Sequence, residues 1–76
     1  MSTTLTLGFL GAGKMATALA KGFIQAGLVS AKQTLASDLS KTARASFARE
    51  VGAQTTPSNR AVAQFARVLV LAVKPD

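Results

Sequence analysis

A chain of 76 residues makes one domain at most, and at this length folding hides only about 60% of the surface that the unfolded chain exposes. It contains no cysteine and no histidine, which removes disulfides, thiolate metal sites, the commonest metal ligand and the usual acid–base group at neutral pH. The formal charge is +6, from nine basic and three acidic residues, but the basic residues are scattered and no Tyr or Trp is present to stack bases, so solvated helix faces account for the charge better than a nucleic-acid partner.

The N-terminus lacks the basic region and long apolar core of a secretory signal, and no run approaches membrane-spanning length. A cytoplasmic protein with no membrane partner is the expectation.

In chain order, Leu5 to Leu10 reads as a strand with Leu5, Leu7 and Phe9 on one face, and Gly8 fits a place where another backbone comes close. The strand runs into Gly11-Ala-Gly13-Lys-Met-Ala16, a G-x-G-x-x-A pattern between a strand and a helix. Each small residue has a job in that context. Gly11 permits the tight turn, Gly13 lets a pyrophosphate approach the backbone, and Ala16 lets the helix pack near the strand. The free N–H groups at the helix start, where the helix dipole is positive, would receive the phosphates.

From Gly13 to about Ala26 the pattern is helical, with Met15, Ala18, Leu19, Gly22, Phe23 and Ala26 forming an apolar stripe and Gly27 just past the end. Gly22 disfavours the helix by about 1 kcal/mol relative to alanine, which predicts close packing against a strand there. Gln33 to Ser37 reads as a second strand, and Ser40 to Val51 as a second helix that is capped by Ser40 or Asp38 and ended by Gly52. Ala53 to Thr56 is a short third strand or an extended link, closed by Pro57. Ser58 then caps a short helix with Val62, Phe65 and Ala66 inward. Val68 to Val73 is continuously apolar, as a strand buried on both faces of a parallel sheet would be.

The alternation predicts an α/β fold of three layers, a parallel sheet between helices, of the Rossmann-like NAD(P)-binding type, which the resemblance given below implies is partial in extent. In that arrangement strand two lies beside strand one, strand three beside strand two, and strand four on the other side of strand one. The C-terminal ends of strands one and four then share a crevice, which brings Gly11–Met15 to Ala72–Pro75.

Asp38 follows Ala16 by 22 positions (38 − 16), near the spacing at which an acidic residue bonds the ribose hydroxyls of NAD. It is equally placed to cap the second helix. A carboxylate here repels a 2′-phosphate, yet Lys41 and Arg44 can neutralise one, and Ser37 and Ser40 can donate to it. Local charge therefore leaves NAD and NADP both open. Asn59 is either a first-turn residue held by local backbone bonding or a ligand-edge group. Lys74 is either the basic group of the crevice or a lysine that ends a strand before proline.

Taken together, Gly8-Phe-Leu-Gly-Ala-Gly-Lys-Met-Ala16, Ala20-Lys-Gly-Phe23, Ala36-Ser-Asp38, Thr56-Pro-Ser-Asn59 and Leu71-Ala-Val-Lys-Pro75 resemble pyrroline-5-carboxylate reductase. The resemblance runs from Leu7 to Pro75 and implies an oxidoreductase that reduces the C=N bond of 1-pyrroline-5-carboxylate to give L-proline, with NADP or NAD as cofactor. It implies cofactor contacts at Leu10, Gly11, Ala12, Gly13, Lys14, Met15, Asp38, Asn59, Ala72, Val73, Lys74 and Pro75. Position 38 is a departure, because several relatives carry a small polar residue there.

The resemblance further implies that residues 1–76 are the N-terminal half of the NAD(P)-binding domain, without the helical C-terminal domain that builds the dimer and the substrate site. No catalytic and no metal-binding residue is assigned, and a homo-oligomer is expected only with that further domain. Two other readings stay open. One is another NAD(P)-dependent imine or hydroxyacid reductase, and the other a non-catalytic nucleotide-binding module.

Overall fold

The computed structural model describes residues 5–72. Seven elements alternate as β1 (Leu7–Leu10), α1 (Lys14–Gln25), β2 (Thr34–Ser37), α2 (Lys41–Val51), β3 (Gln54–Thr56), α3 (Asn59–Phe65) and β4 (Val68–Leu71). The four strands form one parallel sheet in the order β3-β2-β1-β4, as expected. Phe9 opposes Ala36 on β2 and Val70 on β4, so β1 is the central strand on which the other elements assemble.

Alternation along β1 explains the layers. Leu7 and Phe9 point toward α1 and α2, where the Phe9 and Phe47 rings meet with centroids 6.0 Å apart. Gly8 points the other way, and a Cβ built on it would lie 2.6 Å from both Ala66 Cβ and Val62 Cγ1 of the α3 region. A side chain at position 8 would push α3 off the sheet. The expected close approach at Gly8 is therefore real, and the approaching atoms are side chains.

Local signals place the helix ends. The N–H of Gly27 bonds the Ile24 carbonyl and that of Leu28 the Phe23 carbonyl, a Schellman closure that needs the positive φ of Gly27 (77°). Ser40 Oγ accepts from Ala43 N at 3.1 Å and Ser58 Oγ from Ala61 N at 3.2 Å, which caps α2 and α3. Gly52, at φ 81°, ends α2.

Five expectations need correction. β1 begins at Leu7, two residues later than the apolar pattern implies, because the Thr6 carbonyl accepts from Arg67 N and Val68 N and its hydroxyl accepts from Arg67 N. Thr6 thus anchors the α3–β4 connection. Gln33 belongs to a 3₁₀ turn (Ala31–Gln33), where its side chain accepts from Ser30 N at 2.9 Å.

The buried stripe of α1 is rotated by one residue. Ala16 and Ala20 are fully buried with Phe23 and Ile24 packed against the core, whereas Met15 is 64% exposed. Small residues let α1 lie close to the sheet, and the larger ones turn outward. Gly22 is exposed, and a Cβ there would meet nothing within 4 Å, so no strand packs against it.

β4 departs from expectation too. Among the described residues it has a neighbour on one side only, and Val68, Leu69 and Leu71 are exposed, Leu71 by 69%. The continuous apolar run is the edge of this sheet, not a strand covered on both faces. Val73, Lys74 and Pro75 lie outside the described residues.

Candidate functional site

Parallel strands deliver their C-terminal ends to one edge of the sheet, and the turns leaving β1, β2 and β3 gather there. The turn after β1 is shaped by Gly11, whose φ of 109° is a conformation that L side chains rarely adopt. The N–H of Gly11 donates to the Ser37 carbonyl at 2.7 Å, which fastens the turn to the end of β2.

Gly13 then caps α1 with an extended backbone (φ −82°, ψ −161°) and no side-chain acceptor for the helix. Its chain neighbours aside, a Cβ on Gly13 would meet no atom of the described residues within 4 Å. Among the described residues, no hydrogen bond engages the N–H of Gly13, Lys14 or Met15. These are the orphan donors of a helix start, where the helix dipole is positive. No acidic residue occupies that first turn, and Lys14 adds a further positive charge. Donors, dipole and missing side chain all suit a bound diphosphate.

Asp38 answers the turn from β2. Its Oδ2 accepts from Ala12 N at 3.0 Å and its Oδ1 from Ser40 N at 2.9 Å. The carboxylate thus clamps the glycine turn to the start of α2. The Ala12 amide first, and then that of Ser40, hold its carboxyl below the usual carboxylate range, with Arg44 contributing and burial opposing. Of the two capping candidates for α2, Ser40 holds the helix amide and Asp38 the turn before it.

Arg44 folds back so that its Nη1 donates to the carbonyls of Asp38 at 2.8 Å and Leu39 at 3.3 Å. Ser37 is fully buried and its hydroxyl donates to Asn59 Oδ1. A phosphate in solvent cannot reach that hydroxyl, which corrects the expectation that Ser37 donates to one.

Two depressions flank the glycine turn. Gly11, Ser37, Asp38, Leu39 and Asn59 line one of about 220 Å³. Ala12, Gly13 and Lys14 border another of about 550 Å³ between α1 and α2, together with Ser40 and Thr42. The Ala12–Asp38 bond joins the lining of one to the lining of the other. The amide nitrogen of Asn59 is unengaged among the described residues and stands as a donor at the smaller cleft.

Of the residues singled out from sequence, Gly11, Asp38 and Asn59 come together in one cleft, while Ala12, Gly13 and Lys14 border the other. Met15 contributes its backbone while its side chain faces solvent. Leu10 and Ala72 meet beside the turn through an Ala72 N–H to Leu10 carbonyl bond of 2.9 Å. Leu39, 88% exposed at the cleft rim, went unmarked in sequence. Its one signal was a large apolar residue set between two helix-capping residues. Among the described residues no cluster of His, Cys, Asp or Glu can hold a metal ion, and no helix is long and apolar enough to cross a membrane.

Comparison with known proteins agrees with the fold. Residues 6–76 match the family described as NADP oxidoreductase, coenzyme F420-dependent. The chain is 48% identical over 76 residues to pyrroline-5-carboxylate reductase 3 of Mus musculus, covering all of this chain and 27% of that one. It is 43% identical over 75 residues to pyrroline-5-carboxylate reductase 2 of Bos taurus, covering 93% of this chain and 22% of the relative.

A solved pyrroline-5-carboxylate reductase from Coxiella burnetii superposes with a TM-score of 0.84 at 34% identity, over 96% of this chain and 27% of that one. The chain therefore spans about a quarter of the length of the relatives it matches. It has a Rossmann-like NAD(P)-binding fold, belongs to the NADP oxidoreductase, coenzyme F420-dependent family, and resembles the pyrroline-5-carboxylate reductases.

Proposed function

We propose that this chain is the cofactor-binding part of a pyrroline-5-carboxylate reductase, which reduces the C=N bond of 1-pyrroline-5-carboxylate to give L-proline at the expense of NADPH or NADH. The observation that carries the cofactor assignment is the start of α1. There the N–H groups of Gly13, Lys14 and Met15 are unclaimed and a Cβ on Gly13 would project into open space. The similarity to reductases over the whole chain supports the choice of substrate.

In this reading Gly13, Lys14 and Met15 hold the diphosphate through backbone N–H groups, and Gly11 sets the turn that aims them. Asp38 holds the turn from the other side through Ala12. Asn59 offers its amide nitrogen at the smaller cleft, kept in place by the bond from Ser37. The bound nicotinamide supplies a hydride. The chain's own residues bind and orient it, and the substrate pocket belongs to the remainder of the protein. A small-molecule substrate and a homo-oligomeric assembly are part of the same proposal.

The test is an assay of the natural-length protein for oxidation of reduced nicotinamide that depends on added 1-pyrroline-5-carboxylate. Saturable oxidation with proline as product is expected. Tight nicotinamide binding without turnover of this imine, but with turnover of a hydroxyacid or another imine, would overturn the substrate assignment and keep the fold reading.

A further inference from the structure

We propose that the turn after β2 selects the dinucleotide whose adenosine ribose carries no 2′-phosphate, so that this protein prefers NAD(H) to NADP(H). The proposal rests on the cofactor reading above and commits where that reading leaves the two cofactors open.

Three observations carry it. First, the acidic group is fixed in place. Both oxygens of Asp38 are held by backbone amides, Oδ2 by Ala12 at 3.0 Å and Oδ1 by Ser40 at 2.9 Å, so the carboxylate cannot swing aside to admit another anion. Each oxygen keeps a further lone pair, which suits the hydroxyl groups of an unmodified ribose.

Second, the guanidinium nearest the carboxylate is tied to the main chain of the same turn. Arg44 turns its Nη1 onto the carbonyls of Asp38 at 2.8 Å and Leu39 at 3.3 Å, where it stiffens the same turn, which leaves Nη2 and Nε as its remaining donors. Lys41, the other basic residue on the first turn of α2, is exposed and makes no hydrogen bond among the described residues.

Third, the hydroxyl that would best receive a phosphate at this strand end is not available. Ser37 is fully buried and donates to Asn59. A 2′-phosphate brought here would carry about −1.5 to −2 charges into contact with an immobile carboxylate, with no buried donor to offset the repulsion. The low carboxyl pKa of Asp38 keeps that charge in place across the neutral range.

Equilibrium titration of the natural-length protein with NADH and with NADPH, read by nicotinamide fluorescence or calorimetry, tests this without relying on turnover. Binding of NADH at least tenfold tighter is expected. Equal affinity, or tighter binding of NADPH, overturns the inference, whereas binding of neither cofactor overturns the cofactor reading itself.

Two variants separate charge from scaffolding. Asp38→Asn removes the charge and keeps one acceptor for the turn. It should shift the NADH-to-NADPH affinity ratio at least fivefold toward NADPH. If the carboxylate only props the turn, both affinities fall together and the ratio stays put, which contradicts the proposal. Arg44→Ala should leave that ratio unchanged. Selective loss of NADPH binding in Arg44→Ala would show that the guanidinium serves the phosphate after all, and would overturn it too.

Discussion

Gly8 and Gly13 lie on either side of one turn and are glycine for opposite reasons. At Gly8 an added Cβ would sit 2.6 Å from Val62 and Ala66, so the chain's own packing forbids a side chain. At Gly13 an added Cβ would meet nothing within 4 Å, and the backbone there is extended and open to any residue. The fold accounts for the first glycine and leaves the second unexplained. On the proposed reading a ligand that must touch the backbone explains Gly13, and the unclaimed amides beside it are the donors that ligand would meet. The contrast separates a glycine that packing requires from one that packing leaves free.

The comparison is broken most visibly at Gly8. Gly8→Ala should destabilise the fold by about 3 kcal/mol, because the neighbouring atoms belong to a helix on the sheet and must move with its backbone. Chemical unfolding of the natural-length protein measures this. A near-parental midpoint would mean that α3 can shift freely and that Gly8 is not a packing residue.

Gly13→Val should do the reverse. Dinucleotide affinity should fall by about tenfold or more, roughly 1.4 kcal/mol, while the unfolding free energy changes by less than about 1 kcal/mol. Equal losses of stability and affinity would erase the distinction between the two glycines.

Asp38 sharpens the comparison through pH. Its carboxyl pKa is lowered in the folded state, so the stabilisation is present above the unfolded value of about 3.9 and is lost as pH falls through the folded value. The difference in melting temperature between the parent protein and Asp38→Asn should therefore be constant near neutrality and shrink below about pH 4. A difference that persists unchanged at pH 2.5 to 3 would detach the carboxylate from the Ala12 clamp.

The smallest effect concerns a third glycine. Gly22 is exposed inside α1 with open space around it, so Gly22→Ala should stabilise the protein by about 0.5–1 kcal/mol.

These contrasts also explain what was legible in the sequence. Helix ends were read correctly because their chemistry is local: Gly27 and Gly52 supply positive φ, and Ser40 and Ser58 reach amides three residues on. Strand order followed from the alternation of elements and the crossover rule. The α1 stripe was misphased because periodicity weights large side chains, whereas this helix meets the sheet through Ala16 and Ala20.

Val68 to Leu71 looked doubly buried because composition reports what a strand is suited to, not which neighbours this stretch of chain provides. At the site, the spacing singled out Asp38. Its grip on Ala12, 26 residues earlier, and the turning of Arg44 onto carbonyls depend on tertiary geometry that no local pattern encodes.

The central claim is that the backbone amides opening α1 receive a diphosphate. A crystal structure of the natural-length protein with ADP-ribose tests it most directly. The account predicts diphosphate oxygens within about 3.2 Å of at least two of the N–H groups of Gly13, Lys14 and Met15, with no side chain between them. A diphosphate bound elsewhere, with those three amides facing only water, would contradict it.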